Sequence, residues 1–142
     1  MPIDYKEYHP KWSLISYLIR FVRAGHCCEE CGVRNFSPVR VNKRTKEREI
    51  HPGVFMTFMD ARRFCRHVNR FHADGMGNWN PVVLTVAHLD HNKQNNRFWN
   101  LRAWCQRCHL GYDRNIHINN RKYGRKHRKE QIRIEFEHGK SD

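Results

Sequence analysis

The apolar residues of this chain recur with two different periods, which predict helices in some segments and strands in others. Over residues 12–24 they repeat every three or four positions, which predicts an amphipathic helix between Pro10 and Gly25. The predicted buried stripe of this helix consists of Trp12, Ile15, Leu18, Ile19 and Val22. Residues 55–71 repeat in the same way and predict a second helix with Cys65 on its apolar face, so we expect this thiol in the core.

Turn residues and β-branched residues predict the structure of the segments outside these two helices. Residues 26–32 predict a tight turn, residues 38–50 predict a hairpin with a charged tip, and residues 82–89 predict a strand. Residues 101–113 predict the start of a third helix, because four of their apolar residues share one helical face. These four residues are Leu101, Trp104, Cys108 and Tyr112. The combined pattern predicts a fold of the α+β class.

Length and charge narrow the class of protein. A chain of 142 residues with 39% hydrophobic residues predicts a single domain with a modest core. The formal net charge is +13, and residues 101–142 alone carry +6, so we expect an anionic partner such as the phosphate backbone of DNA. Because the sequence has no apolar run of membrane-spanning length and no secretory pattern at its start, we expect a cytoplasmic protein that is neither secreted nor bound to a membrane. The oligomeric state stays open.

Two groups of basic residues are candidates for contact with nucleic acid. One group lies on the polar face of the second predicted helix, and the other forms a run over residues 121–129 that contains no acidic residue. The alternative for each group is an ordinary solvated surface. The candidate residues are Arg62, Arg63, Arg66, Arg70, Arg121, Lys122, Arg125, Lys126, Arg128 and Lys129.

Four of the six cysteines form two C-x-x-C pairs, Cys28 with Cys31 and Cys105 with Cys108. A C-x-x-C turn places two sulfurs on one side of a short knuckle, and two knuckles together form a tetrahedral cage suited to a structural Zn²⁺ ion. The pairs are separated by 73 residues, so the metal would join distant parts of the chain. We interpret Cys27 as a spare or buried thiol. A thiol redox protein or a metal sensor is the alternative for this cysteine set.

The residues around the second pair resemble the HNH endonucleases. Val86-Ala87-His88-Leu89-Asp90 is followed by Asn95-Asn96, by Asn100-Leu101 and finally by Cys105-x-x-Cys108-His109. This order is similar to the phage and bacterial branch of that family, in which two C-x-x-C pairs brace a ββα-metal core. The spacing is 12 residues from His88 to Asn100 and 9 from Asn100 to His109. The resemblance covers Cys28–Cys31 and residues 82–113, and it implies a metal-dependent enzyme that hydrolyses DNA phosphodiester bonds.

The resemblance implies a role for each residue of the motif. His88 would be the general base that activates water, and Asn100 would hold the loop that orients it. His109 would bind a catalytic Mg²⁺ or another divalent cation. Family members often carry a second metal ligand just before the base, but this chain has Ala87 there, so Asp90, His91, phosphate or water would complete the ion's shell. In an alternative register, Asp90 and His91 would be the ligand and the base.

The resemblance also divides the chain into regions around a small zinc-stabilised ββα-metal core. These regions are an N-terminal helix (12–24), zinc knuckles (26–32 and 105–109), a helical insertion (33–81), the core (82–113) and a basic tail (114–142). The alternative function, which needs the charge and the cysteines but no catalysis, is a zinc-stabilised nucleic-acid-binding protein. Either function predicts phosphate contacts, which give affinity without specifying a sequence.

Overall fold

The computed structural model describes residues 8–72 and 74–124 and confirms a small α+β protein. The chain divides into two units, of which the first ends at His109 and the second begins at Leu110. The described elements are α1 (Trp12–Tyr17), β1 (Pro38–Val41), β2 (Arg48–Ile50), α2 (Phe58–Phe71), β3 (Asn80–Pro81), β4 (Leu84–His88), β5 (Leu101–Cys105), α3 (Gln106–Tyr112) and α4 (Arg114–Tyr123).

The first predicted helix begins at Trp12, but its second half is a π-helix over Leu18–Arg23. The Ala24 amide donates to the Ile19 carbonyl at 3.1 Å, five residues back, so each turn is wider than an α-helical turn. The wider turn shifts the phase of the apolar stripe. Ile19 is buried, whereas Leu18 and Val22 are exposed, so the prediction that these two residues face the core is wrong.

The predicted hairpin over 38–50 is confirmed by the antiparallel pairing of β1 with β2, and β3 pairs with the other edge of β1. The second predicted helix is confirmed as α2, which begins at Phe58. Thr57 caps it because its hydroxyl accepts a hydrogen bond from the Asp60 amide at 3.2 Å. The Cys65 thiol on α2 is buried, as its place on the apolar face predicts.

The strand predicted over 82–89 is confirmed as β4, whereas the helix predicted over 101–113 is present only from Gln106, so its predicted start at Leu101 is wrong. Residues 101–105 form β5, which pairs antiparallel with all of β4, and the helix α3 starts at Gln106. Both faces of β5 are covered, so buried residues are not separated by exposed polar ones. A strand without that alternation has no period-two signal, and its apolar residues also satisfy a helical period.

The β4–β5 hairpin has a small core on each face. On one face, Val86, Leu101 and Ala103 pack against Ile19 of the N-terminal helix. The other core includes Ala87 and Trp104, together with Val33 and Val82 from outside the hairpin. The hairpin is therefore the central layer of the first unit, and it carries side chains towards two separate surroundings.

The second unit includes a helix that the sequence pattern did not indicate. Residues Arg114–Tyr123 form α4, so Arg121 and Lys122, the first two residues of the basic run over 121–129, lie in its last turn. Charged and amide side chains dominate this helix, which leaves little apolar periodicity for a sequence to show. Four predicted DNA-contact residues, Arg125, Lys126, Arg128 and Lys129, lie outside the described residues.

Candidate metal centre and histidine site

The two C-x-x-C pairs converge on one point, as the zinc prediction requires. The sulfurs of Cys28, Cys31, Cys105 and Cys108 all lie within 4.8 Å of one another. Cys31 Sγ and Cys105 Sγ are 3.7 Å apart, close to the edge of about 3.8 Å of a tetrahedron with zinc–sulfur bonds of about 2.3 Å. Four thiolate donors with no open position fit a structural zinc ion.

Local backbone geometry builds each knuckle. The Cys28 amide donates to the Val33 carbonyl, and the Gly32 amide donates back to the Cys28 carbonyl, both at 2.9 Å. Gly32 closes this turn with φ +70°, which glycine adopts without strain. The second knuckle forms where β5 ends at Cys105 and α3 begins, so the strand-to-helix junction itself places Cys105 and Cys108.

The sulfurs differ in their acidity because their surroundings differ. Burial raises the pKa of Cys28. Burial opposes ionisation of Cys31 too, but hydrogen bonds from the Val33 amide, Cys108 and Arg48 outweigh it and lower the pKa of Cys31 to about 6. The Arg48 guanidinium donates to Cys31 Sγ at 3.6 Å. Burial and the neighbouring sulfurs raise the pKa of Cys108, so zinc must displace protons when it binds.

Hydrogen bonds of Glu29 and Arg23, which the sequence did not predict, connect the first knuckle to β5. The Glu29 carboxylate, inside the first C-x-x-C pair, accepts from the Ala103 amide and from Arg23 Nη2, the latter at 2.7 Å. Arg23 also donates to the carbonyls of Leu101 at 2.7 Å and Phe98 at 2.8 Å. These contacts join residues up to 78 positions apart, and no periodicity or short motif signals them.

His88 is the last residue of β4, and three neighbours define its position. Its ring stacks on Trp12 with centroids 5.1 Å apart and an interplanar angle of 20°. Its Nε2 lies 3.3 Å from Asn96 Oδ1, while the Asn96 Nδ2 donates to the Gln94 carbonyl at 3.2 Å. Asn96 Oδ1 can only accept a hydrogen bond, so this contact favours the His88 tautomer with its proton on Nε2.

Asn100 is buried and holds the loop between β4 and β5. Its Oδ1 accepts from the Asp90 amide at 3.1 Å, and its Nδ2 donates to Asp90 Oδ1 at 2.8 Å and to the Asn95 carbonyl at 2.9 Å. These contacts agree with the loop-holding role that the resemblance implies for Asn100. They also show how a single amide side chain can fix both ends of a loop that has little other regular structure.

Asp90 belongs to the same loop network. Besides Asn100, its carboxylate accepts from the Asn92 amide at 2.9 Å and from Asn95 Nδ2 at 2.6 Å. Burial opposes ionisation, but these hydrogen bonds outweigh it and lower the pKa of Asp90. Both carboxylate oxygens therefore already have protein partners, and contact between Asp90 and a catalytic ion stays a prediction.

His109 lies on α3, and its surroundings differ from those of His88. Its Nδ1 is 3.0 Å from Thr85 Oγ1, and its ring faces Trp104 at 6.4 Å. Since Thr85 contacts Nδ1, an ion bound by His109 would be held by Nε2.

The hairpin register shows why the two imidazoles differ in their surroundings. His88 pairs with Leu101 and shares the Val86 face of the hairpin, whereas Thr85 projects from the other face, because adjacent strand residues alternate. The contacts of the two rings therefore lie on different faces of the hairpin.

The predicted DNA-contact residues on α2 are exposed but not equivalent. Arg62 and Arg66 line a groove with Trp79 and Gln106. Arg63 lies 3.9 Å from the Asp60 carboxylate, and Arg70 packs over the Phe71 ring. The remaining cysteine, Cys27, is half-buried and lies outside the cluster of four sulfurs.

No helix among residues 8–72 and 74–124 has the length and hydropathy needed to cross a membrane. Comparisons with family models, with curated proteins and with solved structures found no match for this chain.

Proposed function

We propose that this chain is a metal-dependent endonuclease that hydrolyses DNA phosphodiester bonds, as the HNH enzymes it resembles do. The observation that carries the proposal is the order of elements after the first knuckle. A strand ends at His88, a loop is held by the buried Asn100, and a second strand leads into a helix that carries His109. This order corresponds to strand, loop asparagine and helix histidine in the ββα-metal core.

In this proposal, His88 takes a proton from the attacking water through Nδ1. Its Nε2–H donates to Asn96, and the Trp12 ring limits rotation of the imidazole. A base held in one tautomer and one orientation is aligned before the substrate arrives, which avoids a loss of alignment in the reacting complex. Asn100 contributes indirectly, because it fixes the loop that carries Asn96.

The proposed catalytic cation, Mg²⁺ or a similar ion at His109, would stabilise charge on the phosphate and on the departing oxygen. Thr85 orients the His109 ring through Nδ1. The proposed zinc ion has a separate, structural role: it would join the first knuckle to the β5–α3 junction and so hold the His109 helix against the hairpin.

A second candidate function, a zinc-stabilised DNA-binding protein without catalysis, is favoured by two observations. Ala87 supplies no metal ligand where the family often has one, and the contacts of His88 and His109 lie on different faces of the hairpin. This candidate uses the same sulfur cluster and positive charge. It differs because binding would not depend on His88.

A plasmid-nicking assay separates the two functions. Purified wild type, His88→Ala and His67→Ala are incubated with supercoiled plasmid and Mg²⁺ or Mn²⁺. His67 is an exposed histidine on α2 and serves as the matched control. We expect wild type and His67→Ala to nick and His88→Ala to lose at least about 100-fold in rate, the usual contribution of a general base.

Equal nicking by wild type and His88→Ala would overturn the role of His88. DNA binding by all three proteins without nicking in any divalent metal would overturn the endonuclease and support the second candidate.

A further inference from the structure

We propose that a groove beside the second knuckle, lined by Arg62 and Arg66 of α2 and by Lys43, Arg48 and Arg107, binds the sugar–phosphate backbone of duplex DNA. We call it the basic groove. This inference rests on the proposed DNA partner and names the surface that holds it. It also separates the four α2 arginines, which the sequence treats as equivalent, into two that line the groove and two that do not.

The basic groove has two adjoining halves that share Asn80, Pro81 and Gln106. The first half, of about 560 Å³, lies between α2 and β3 and contains Arg62 and Arg66. The second half, of about 570 Å³, follows the β1–β2 hairpin and contains the other three cations. The three shared residues place the two halves side by side in the first unit.

Four of the five cations that define the basic groove are uncompensated, whereas the fifth, Arg48, donates to Cys31 Sγ. Among the residues that the structure describes, no aspartate or glutamate lines either half. Arg40 also lines the second half, but it is neutralised by Glu49 at 2.6 Å and by Asp74. Within the described part of the chain, Arg62, Arg66, Lys43 and Arg107 form no ion pair. Cations without acidic partners contribute most to the free energy of binding a polyanion, because no ion pair within the protein has to be broken first.

The shape of the depression favours a nucleic-acid backbone over a flat anionic surface. A flat membrane reaches charges on a convex or planar face, whereas cations that line a depression can contact a ridge that enters it. The phosphate backbone of a duplex is such a ridge, and arginine guanidinium groups suit its phosphate oxygens.

The second knuckle holds one wall of the basic groove in place. Gln106 and Arg107 are the two residues between Cys105 and Cys108. Gln106 Oε1 accepts from the Val83 amide at 3.4 Å, and Arg48 donates to Cys31 Sγ. The proposed DNA surface therefore adjoins the sulfur cluster, through the two residues between Cys105 and Cys108 and through the contact of Arg48 with Cys31.

The test compares two double variants that remove the same charge from the same helix. Arg62→Gln with Arg66→Gln removes both positive charges from the first half of the groove. Arg63→Gln with Arg70→Gln is the matched control. Binding to a fluorescent duplex is measured by anisotropy over a range of NaCl concentrations, without added Mg²⁺, so that no cleavage occurs. Unchanged thermal unfolding confirms that each variant is folded.

We expect the groove variant to bind roughly tenfold more weakly at low salt. Its slope of log affinity against log salt should decrease by about 1.8, which corresponds to two lost phosphate contacts at about 0.9 each. The control should change the slope by less than half as much. Equal losses in both variants would overturn the proposal, because net charge alone would then explain binding, and so would an unchanged groove variant.

A second pair tests the other half of the groove and guards against a folding defect in α2. Lys43→Gln with Arg107→Gln should also weaken binding, whereas Arg44→Gln with Lys46→Gln at the exposed hairpin tip should not. Binding to phosphatidylserine–phosphatidylcholine vesicles that is tighter than duplex binding, and lost in the groove variants, would overturn the proposal in favour of a membrane surface.

The readouts also separate this inference from the proposed function. Absence of nicking together with groove-dependent DNA binding removes the endonuclease and keeps the groove.

Discussion

Replacing Asn100 by alanine tests the loop between β4 and β5, which orients His88 through Asn96. The substitution removes three hydrogen bonds, two with Asp90 and one with the Asn95 carbonyl. Each contributes about 1 kcal/mol net, and buried groups that lose a partner add to the cost. Asn100 is only 6% exposed, so water cannot readily replace the lost contacts. We expect Asn100→Ala to lower the free energy of unfolding by about 2 to 4 kcal/mol.

The assay is urea unfolding of the zinc-loaded protein, in which the midpoint should fall while the slope stays unchanged. In a thermal scan the same loss corresponds to roughly 3 °C per kcal/mol. The matched control is Asn92→Ala in the same loop, since the exposed Asn92 side chain accepts only the Gln94 amide, at 3.0 Å. We expect the control to cost less than about 1 kcal/mol.

Two results would refute this reasoning. A loss below about 1 kcal/mol in Asn100→Ala would show that the buried network does not hold the loop. An equal loss of stability in Asn92→Ala would show that the loss does not depend on the buried hydrogen bonds of Asn100. Nicking should fall in Asn100→Ala while duplex binding stays unchanged, because the loop network lies apart from the basic groove.

Three further predictions concern the sulfur cluster and His88. Chelation of zinc should release the two knuckles from each other and make four additional thiols reactive, whereas the buried Cys65 lies on α2 outside the cluster and should stay slow. A dithionitrobenzoate titration that finds fewer than four additional thiols would contradict a shared site. Because the pKa values of Cys28 and Cys108 are raised, both are protonated at neutral pH and zinc must displace at least two protons. The apparent zinc affinity should therefore fall at least about 100-fold as the pH drops from 8 to 7. It should fall more steeply below the Cys31 pKa of about 6, because a third proton is then displaced. Competition with a fluorescent chelator measures the affinity, and a pH-independent affinity would refute this prediction. Trp12→Ala should slow nicking by roughly fivefold and shift the His88 ring-proton resonances, because a ring stack contributes about 1 kcal/mol. Trp12→Phe should restore most of the rate, and a loss as large in the exposed Trp99→Ala would count against a specific role of Trp12.

Several local features of the fold could be predicted because local physics decides them. The helical period over 55–71, the β-branched run before His88 and the charged hairpin tip each specify an element through neighbouring residues alone. The two C-x-x-C pairs also specify their own chemistry, because two sulfurs two residues apart already form half of a tetrahedral site. The α+β class and the four-sulfur cluster follow from such signals, and both are present in the structure.

Where a local signal was ambiguous, packing decided the outcome. Residues 101–105 satisfy a helical period, yet they pair with β4 because both faces of the resulting hairpin are covered by apolar residues. In the π-helical turn over Leu18–Arg23, Ile19 is buried against Leu101 and Ala103, whereas Leu18 and Val22 are exposed. Periodicity shows which side chains of a segment can be buried together, but it does not show which neighbouring segment they pack against.

The sequence by itself determined the chemical inventory of this protein: four paired sulfurs, a histidine at the end of a strand, a loop asparagine, a helix histidine and a large excess of cations. Only the tertiary structure decided how these parts face one another. It brought the sulfur pairs together across 73 residues, placed the contacts of His88 and His109 on different faces of one hairpin, and positioned five cations along two adjoining halves of a groove. The physical reason is that residue type specifies which interactions a side chain can make, whereas strand register and packing between distant segments specify which of them are made.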